Sequence, residues 1–292
     1  MPRLVFVMKV LIVLNAYQRT GSQTAKAERL KDELEKLGAE VKIVNNFRLA
    51  DVKNGNSISP YACKCVFLDK DKSAAYLLEK AGCRLYNSAR ATELCDDKML
   101  THAALCGQGI AMPHTVYAPL CYYPDAPVPT EFLNGVVESL GFPLVAKLCY
   151  GSLGAGVYLI RSQEELYGFE SRNKLQAHLY QQFISPAGTD VRCIVIGGKF
   201  VCAMKRTNDG DFRSNVELGG SGEKFTPDGE MIGMCEKAAR VLGLDYCGID
   251  ILIDGNGKKY LCEVNSNAFF AEAERVCGVN IAKKFAELII SE

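Results

Sequence analysis

The stretch 246–267, YCGIDILIDGNGKKYLCEVNSN, constrains the fold of this chain more than any other. Ile249, Ile251 and Ile253 alternate with Asp250 and Leu252, Asp254-Gly255-Asn256-Gly257 supplies tight-turn residues, and Tyr260 to Asn265 resumes an extended run. Such a pattern predicts a two-stranded hairpin. Side chains two apart on a strand share a face, so Glu263 and Asn265 point the same way and the returning strand brings Asp250 alongside them. Two carboxylates and an amide oxygen are hard ligands, which suit a Mg2+ ion shared with phosphates. An ordinary surface hairpin with solvated acids fits the same pattern, and the choice between the two rests on the remaining segments.

The chain has 292 residues, 48% of them hydrophobic, enough to bury a sizeable core in two or three subdomains. Lys plus Arg equals Asp plus Glu at 34 each, so net charge favours neither a nucleic acid nor a membrane surface as partner. Arg3 precedes an apolar run in MPRLVFVMKVLIVLN, but Lys9 interrupts it and no small-residue cleavage site follows. Residues 4–14 therefore read as a buried first strand rather than a signal peptide, with Met8 an alternative start. No apolar run reaches the roughly 18 residues of a membrane span. Thirteen cysteines, an odd number, lie scattered through predicted elements, which suits a reducing cytoplasm better than a secreted disulfide framework. Cys63-Lys64-Cys65 is too short a pattern for a zinc half-site.

Strand and helix alternate over the first ninety residues. Helical spacing of Ala27, Leu30, Leu34 and Leu37 follows a cap at Thr20, Ser22 or Thr24 and stops at Gly38; strands are expected at 41–44, 65–68 and 84–87, and a helix at 74–81 ending at Gly82. This alternation predicts a small parallel sheet. A helix is expected over 92–107, and prolines between 113 and 129 mark a boundary around one short strand. A further helix is expected at 131–140.

In 142–160, FPLVAKLCYGSLGAGVYLI, two apolar strands flank Gly151-Ser152-Leu153-Gly154-Ala155-Gly156, with Lys147 just before the turn. Glycines let backbone N–H groups approach an anion, and a lysine adds a compact positive charge. No G-K-S/T follows, so this is a phosphate-covering lid and not a Walker A loop. A flexible turn with a snorkelling lysine is the plainer reading. Cys149 at its entrance is a candidate redox-sensitive thiol, although a buried filler is the commoner role of such a residue. Residues 179–184 form a strand whose end, at Phe183 and Ile184, can wall a purine while its main chain reads the edge. Asp190 to Ile196 and Lys199 to Lys205 form a hairpin turning at Gly197-Gly198, with Arg192 facing away from Val191 and Cys193. Arg206 and Asp211-Phe212-Arg213-Ser214-Asn215 are expected in a loop whose arginine forks suit carboxylate and phosphate oxygens. Helices are expected at 227–243 and 279–290. The three histidines, His102, His114 and His178, are assigned no catalytic role.

Taken in order, Asp97-Lys98, Lys147 with Gly151 to Gly156, Gln181 to Ile184, Asp190-Val191-Arg192, the D-F-R-S-N run, and Gly248-Ile249-Asp250 with Glu263-Val264-Asn265 resemble the ATP-grasp superfamily, in particular its RimK-type α-L-glutamate ligases. The resemblance implies an α/β chain, α+β in its C-terminal half, with an N-terminal parallel-sheet domain (1–90) and two ATP-clasping subdomains (91–184 and 185–292). It further implies that Lys98, Lys147 and the lid (Gly151, Ser152, Gly154) hold ATP phosphates. Gln182 and Phe183 would form the adenine hinge, and Asp190 would contact the nucleotide. Arg213, Ser214 and Asn215 would reach phosphates or an acyl phosphate. Asp250, Glu263 and Asn265 would bind two Mg2+ or Mn2+ ions. Arg192, Arg206 and Arg213 would hold a substrate carboxylate and stabilise the anionic tetrahedral species. The implied partners are ATP, a carboxylic acid and an amine, in a chain that can form homo-oligomers. Gln182 replaces the hinge acid usual in the family, and Ser266-Asn267-Ala268-Phe269-Phe270 replaces a Pro-Gly turn beside the acceptor site. A phosphotransferase and a non-catalytic ATP-binding module are the alternative functions.

Overall fold

This computed structural model describes residues 7–17, 21–49, 64–151, 154–208, 210–214 and 220–292. The alternating N-terminal stretch folds as a parallel sheet because its strands are apolar enough to be covered on both faces. β1 (Lys9–Leu14), β2 (Glu40–Asn45), β3 (Lys64–Leu68) and β4 (Arg84–Tyr86) stand in the order β2-β1-β3-β4, all parallel. α1 (Ser22–Lys36) and α2 (Lys72–Lys80) make crossovers, and Gly38 and Gly82, at φ +87° and +89°, follow their ends as the sequence predicts. Two expectations change. β1 begins at Lys9, with residues 7 and 8 outside it, and α1 starts at Ser22 behind Gly21 with no side-chain cap; residues 4–6, Thr20 and Cys63 lie outside the described residues.

The helix expected over 92–107 is two helices, α3 (Ala89–Asp96) and α4 (Lys98–Leu105). Asp97 leaves the helical region at φ −97°, ψ 111°, and its carboxylate accepts from the N–H groups of Met99 (2.8 Å) and Leu100 (3.2 Å). An aspartate inside a helical pattern has become an N-cap. Lys98 thereby stands at the first turn of a helix instead of in its middle.

The second sheet comprises β5 (Thr115–Tyr117), β6 (Leu144–Leu148), β7 (Val157–Ile160) and β8 (His178–Gln182), antiparallel in the order β5-β8-β6-β7. The proline-punctuated stretch, expected as a boundary, supplies β5 to this sheet. α5 (Thr130–Leu140) and α6 (Gln163–Asn173) cover it through Leu133, Val136, Leu166 and Phe169. α6 was not expected. Its signature is Ser162-x-x-Glu165: the Ser162 hydroxyl accepts from the Glu165 N–H at 3.2 Å while the Glu165 carboxylate takes the Arg161 N–H at 2.7 Å. Beneath α6, buried Glu170 pairs with His178 Nε2 (2.8 Å) and accepts from the Tyr180 hydroxyl. His178 is thus a core residue.

The third sheet holds β9 (Thr189–Ile196), β10 (Lys199–Thr207), β11 (Ser221–Phe225), β12 (Tyr246–Ile253) and β13 (Lys259–Asn265) in the order β11-β10-β9-β12-β13, antiparallel throughout. Gly197 and Gly198 both take positive φ (+57° and +71°), as a two-residue hairpin turn requires. α7 (Gly229–Leu242) covers one face through Met231, Cys235 and Ala239. On the other face α8 (Ala271–Cys277) and α9 (Ile281–Ser291) share a core with the N-terminal sheet and α1, where Leu30 and Leu34 join Ile194, Tyr246, Phe285 and Ile289. Asn87 completes that junction: its side chain donates to the carbonyls of Tyr246 and Ser266 (both 2.8 Å) and accepts from the N–H groups of Asp245 (2.7 Å) and Tyr246 (2.9 Å). Among the described residues no helix is long and apolar enough to cross a membrane.

Candidate nucleotide and metal site

A cleft of about 860 Å³, counting the open space at its mouth, lies between the second and third sheets and is lined by residues of both. From the second sheet, Lys147 on β6 reaches in. It is 8% exposed, and its ammonium donates to Gln181 Oε1 at 2.7 Å and approaches Cys262 Sγ at 3.4 Å. Lys98 donates to the Gly151 carbonyl at 3.2 Å and stands 3.7 Å from the Glu263 carboxylate. Gly151 is at φ +147°, and a Cβ there would lie 2.9 Å from the Ala155 carbonyl oxygen, so only glycine closes this turn without displacement. The Gly154 carbonyl accepts from Arg213 Nη1 at 2.9 Å. Gln182 and Phe183 line the cleft, and the Gln182 N–H is spent on the His114 carbonyl at 2.8 Å. Ser152 and Asn215 lie outside the described residues.

From the third sheet, strand register lays charged residues in rows. Arg206 stands opposite Asp190, Arg192 opposite Asp250, and Asp250 opposite Glu263, with all five side chains on one face. Arg206 donates to both oxygens of Asp190 (Nε 2.7 Å, Nη2 2.5 Å) and stands 2.9 Å from Asp250 Oδ2. Arg192 grips Asp250 with Nε and with Nη2 at 2.7 Å. Two guanidiniums and two carboxylates make a neutral, buried grid. Burial opposes charge on Asp250, but the two arginines outweigh it and hold that carboxyl below its ordinary range. Burial and the adjacent Asp250 push Asp190 the other way. Arg206, expected in a loop, is a β10 residue only 3% exposed. Arg213 does lie in a loop, forked onto Asp211 (Nε 3.0 Å, Nη2 2.6 Å), and Ser214 is buried beside the cleft.

The expected metal-ligand set is brought onto one face. Asp250 is registered directly across from Glu263, and Asn265 across from Gly248, two residues along. These are oxygen donors only, the set a hard divalent cation takes. Among the described residues no group of three His, Cys, Asp or Glu could hold a metal ion; the set here is two carboxylates and one amide. Both Asp250 oxygens already accept from arginine, whereas half-buried Glu263 faces the cleft.

Three contributors were not foreseen. Gln181, buried next to the expected hinge residue, fixes Lys147. Cys262 should point away from Glu263 by alternation, but a bulge between the pairs Asp250–Glu263 and Ile251–Leu261 turns both into the cleft. Gly248 was noticed only as part of a motif: a Cβ there would lie 2.6 Å from Ala268 Cβ and 2.9 Å from Arg192 Cδ. The bare glycine lets Arg192 lie across the sheet to Asp250. Gly248→Ala should therefore cost about 1–3 kcal/mol by overpacking and slow turnover by displacing Arg192, read as a lower melting temperature with reduced ADP release. Cys149, considered as a redox position, is fully buried and its thiol is pushed up to about 12 by desolvation, which makes it an inert filler.

Two sheets clasping a cleft lined by lysines, a glycine turn and acids are the ATP-grasp arrangement, and the relatives that share it with this chain are ATP-dependent ligases. The RimK-like ATP-grasp domain matches residues 95–289. The chain is 34% identical to a probable alpha-L-glutamate ligase of Maridesulfovibrio salexigens, over 80% of this chain and 73% of that one. It is 32% identical to human beta-citrylglutamate synthase B over 76% of its own length but only 57% of that protein. A structure of the ATP-grasp ligase PsnB, complexed with minimal precursor, Mg and ADP, superposes with TM-score 0.70 at 18% identity, covering 97% of both chains. The chain belongs to the RimK-like ATP-grasp family of carboxylate–amine ligases.

Proposed function

We propose that the chain joins the carboxylate of one substrate to the amino group of glutamate or a similar amino acid, through an acyl phosphate, with ATP converted to ADP and phosphate. One observation carries this reading: Lys98, Lys147, Asp250 and Glu263 converge on a single cleft that ends at the hinge residues Gln182 and Phe183. The names of the Maridesulfovibrio and human relatives both contain glutamate, which supports glutamate as the amine. The acid is a metabolite, a peptide or a protein tail, to which residues are added singly or repeatedly.

In this reading the hinge main chain holds adenine and Asp190 contacts the nucleotide. Lys98, Lys147 and the lid glycines bind phosphates, joined by Arg213, Ser214 and Asn215. Asp250, Glu263 and Asn265 would hold Mg2+ or Mn2+, two ions in this reading, which would supply the charge neutralisation that attack on a triphosphate needs. Arg192 steadies the substrate carboxylate and the anionic tetrahedral species. Arg206, enclosed by Asp190 and Asp250, acts by fixing those two carboxylates. Subdomains at 1–90, 91–184 and 185–292 give each sheet its own unit. The described cysteines are all free thiols, which suits a cytoplasmic enzyme.

The test is a screen of acids with L-glutamate and other amino acids, scored by ADP release and product mass. ADP and free phosphate should appear only when both an acid and an amine are present. Phosphate retained on an acceptor would make the protein a kinase, and nucleotide binding without turnover on any pair would make it a regulatory module.

A further inference from the structure

The segment after Asn265 departs most from the family pattern, and it is held from the far end of the chain. Lys26, on α1, is 5% exposed, and its Nζ donates to Asn267 Oδ1 at 2.6 Å and to the Ala268 carbonyl at 2.8 Å. That carbonyl also accepts from the Tyr246 hydroxyl at 2.8 Å. The ammonium lies over the rings of Tyr246 and Phe270, 4.9 and 5.6 Å from their centroids. Among the described residues no carboxylate pairs with it, and desolvation alone pushes its pKa down to about 7. A buried ammonium without a counter-charge carries a desolvation cost that its two acceptors and two rings offset only in part, so packing alone does not account for a lysine here.

Holding the fold together is already provided for at this junction. Leu30, Leu34, Phe285 and Ile289 pack there, Asn87 is fully bonded, and Arg84 pairs with Asp245 at 2.7 Å. A side chain of the same length and no charge would serve that packing as well. What Lys26 adds is a fixed position for Asn267 and Ala268. Ala268 abuts Gly248, which in turn abuts Arg192. The Gly248–Asn265 pair lies two residues beyond Asp250–Glu263 and outside the residues lining the cleft. With adenine at the hinge and phosphates at the lysines, a substrate must reach the γ-phosphate from that side.

We propose that Lys26 is a positioning residue for the amine substrate: from α1 it fixes residues 267–270 as the wall against which an amino acid seats beside Arg192. This rests on the ligase reading above. Helix α1 then helps to set amine specificity without touching the nucleotide.

Lys26→Met separates this from a structural role, because the desolvation cost of the ammonium disappears with its hydrogen bonds, the Ala268 carbonyl keeps the Tyr246 hydroxyl, and stability should change little. Amide hydrogen exchange across 266–270, measured without substrates, should rise at least several-fold. With L-glutamate as the amine, its KM should rise on the order of tenfold, while the KM for ATP and the calorimetric affinity for ADP with Mg2+ stay as in wild type. Asn267→Ala, which removes one acceptor and keeps the lysine, should shift exchange and KM in the same direction. Unchanged protection of 266–270 would overturn the proposal, as would a fall in stability accompanied by equal losses for ATP and amine. If wild type makes no product from any pair, the ligase reading fails while the exchange result still decides what Lys26 holds.

Discussion

Glu263→Gln should yield a folded protein with turnover reduced on the order of 10²–10³-fold. The glutamate is half-buried, and its one charged neighbour among the ion pairs is Lys98 at 3.7 Å, so loss of its charge should cost the fold no more than about 1 kcal/mol. What it removes is the anionic oxygen that faces the cleft beside Lys98, where the proposed reading puts the phosphates and the metal. ADP release with a working acid and amine pair, together with a thermal melt, checks both halves. A melting temperature many degrees lower would place Glu263 in the scaffold instead. Turnover within a few-fold of wild type would remove it from the metal site.

Local chemistry made the hairpins legible in the sequence. Gly197-Gly198 and Asp254 to Gly257 are turn residues whatever surrounds them, and alternation assigns Arg192, Asp250 and Glu263 to a face without knowledge of the partner strand. What pairs with what is not local. The pairing of Arg206 with Asp190 and Asp250 follows from the register of β9, β10 and β12, and Arg206 read as a loop residue until that register placed it inside a strand. Asp97 broke a helix because capping competes with a helical pattern that the spacing of its neighbours continues on either side. α8 spans seven residues, too few for helical periodicity to stand out, and β11 is an edge strand whose pattern of exposed and half-buried residues leaves little apolar signal. The Cys262 bulge reverses the facing that strict alternation assigns, which a period-two reading cannot contain. Lys26 contacts a residue 241 positions away, and nothing in its own helix distinguishes it from a solvated lysine.

The same hairpin carries a second acid whose loss should have a different signature. Asp250→Ala leaves Arg192 without its carboxylate and Arg206 with only Asp190, in a place where Asp250 is 5% exposed. Breaking one partner out of a buried ion group strands the others, at a cost of about 3–5 kcal/mol. Urea unfolding of this variant should show that loss at an unchanged m-value, while Glu263→Gln unfolds as wild type does. If Asp250 served the metal alone, both variants would be inactive and equally stable. Pairing Asp250→Ala with Arg192→Leu should recover part of the stability, since the unpaired guanidinium goes too, yet recover no turnover. Two activity losses of similar size, one with and one without a stability loss, distinguish a carboxylate that also neutralises arginines from one directed only at the substrate. Absence of any stability difference would mean that the grid opens on its own in solution, with Asp250 already free to take a cation.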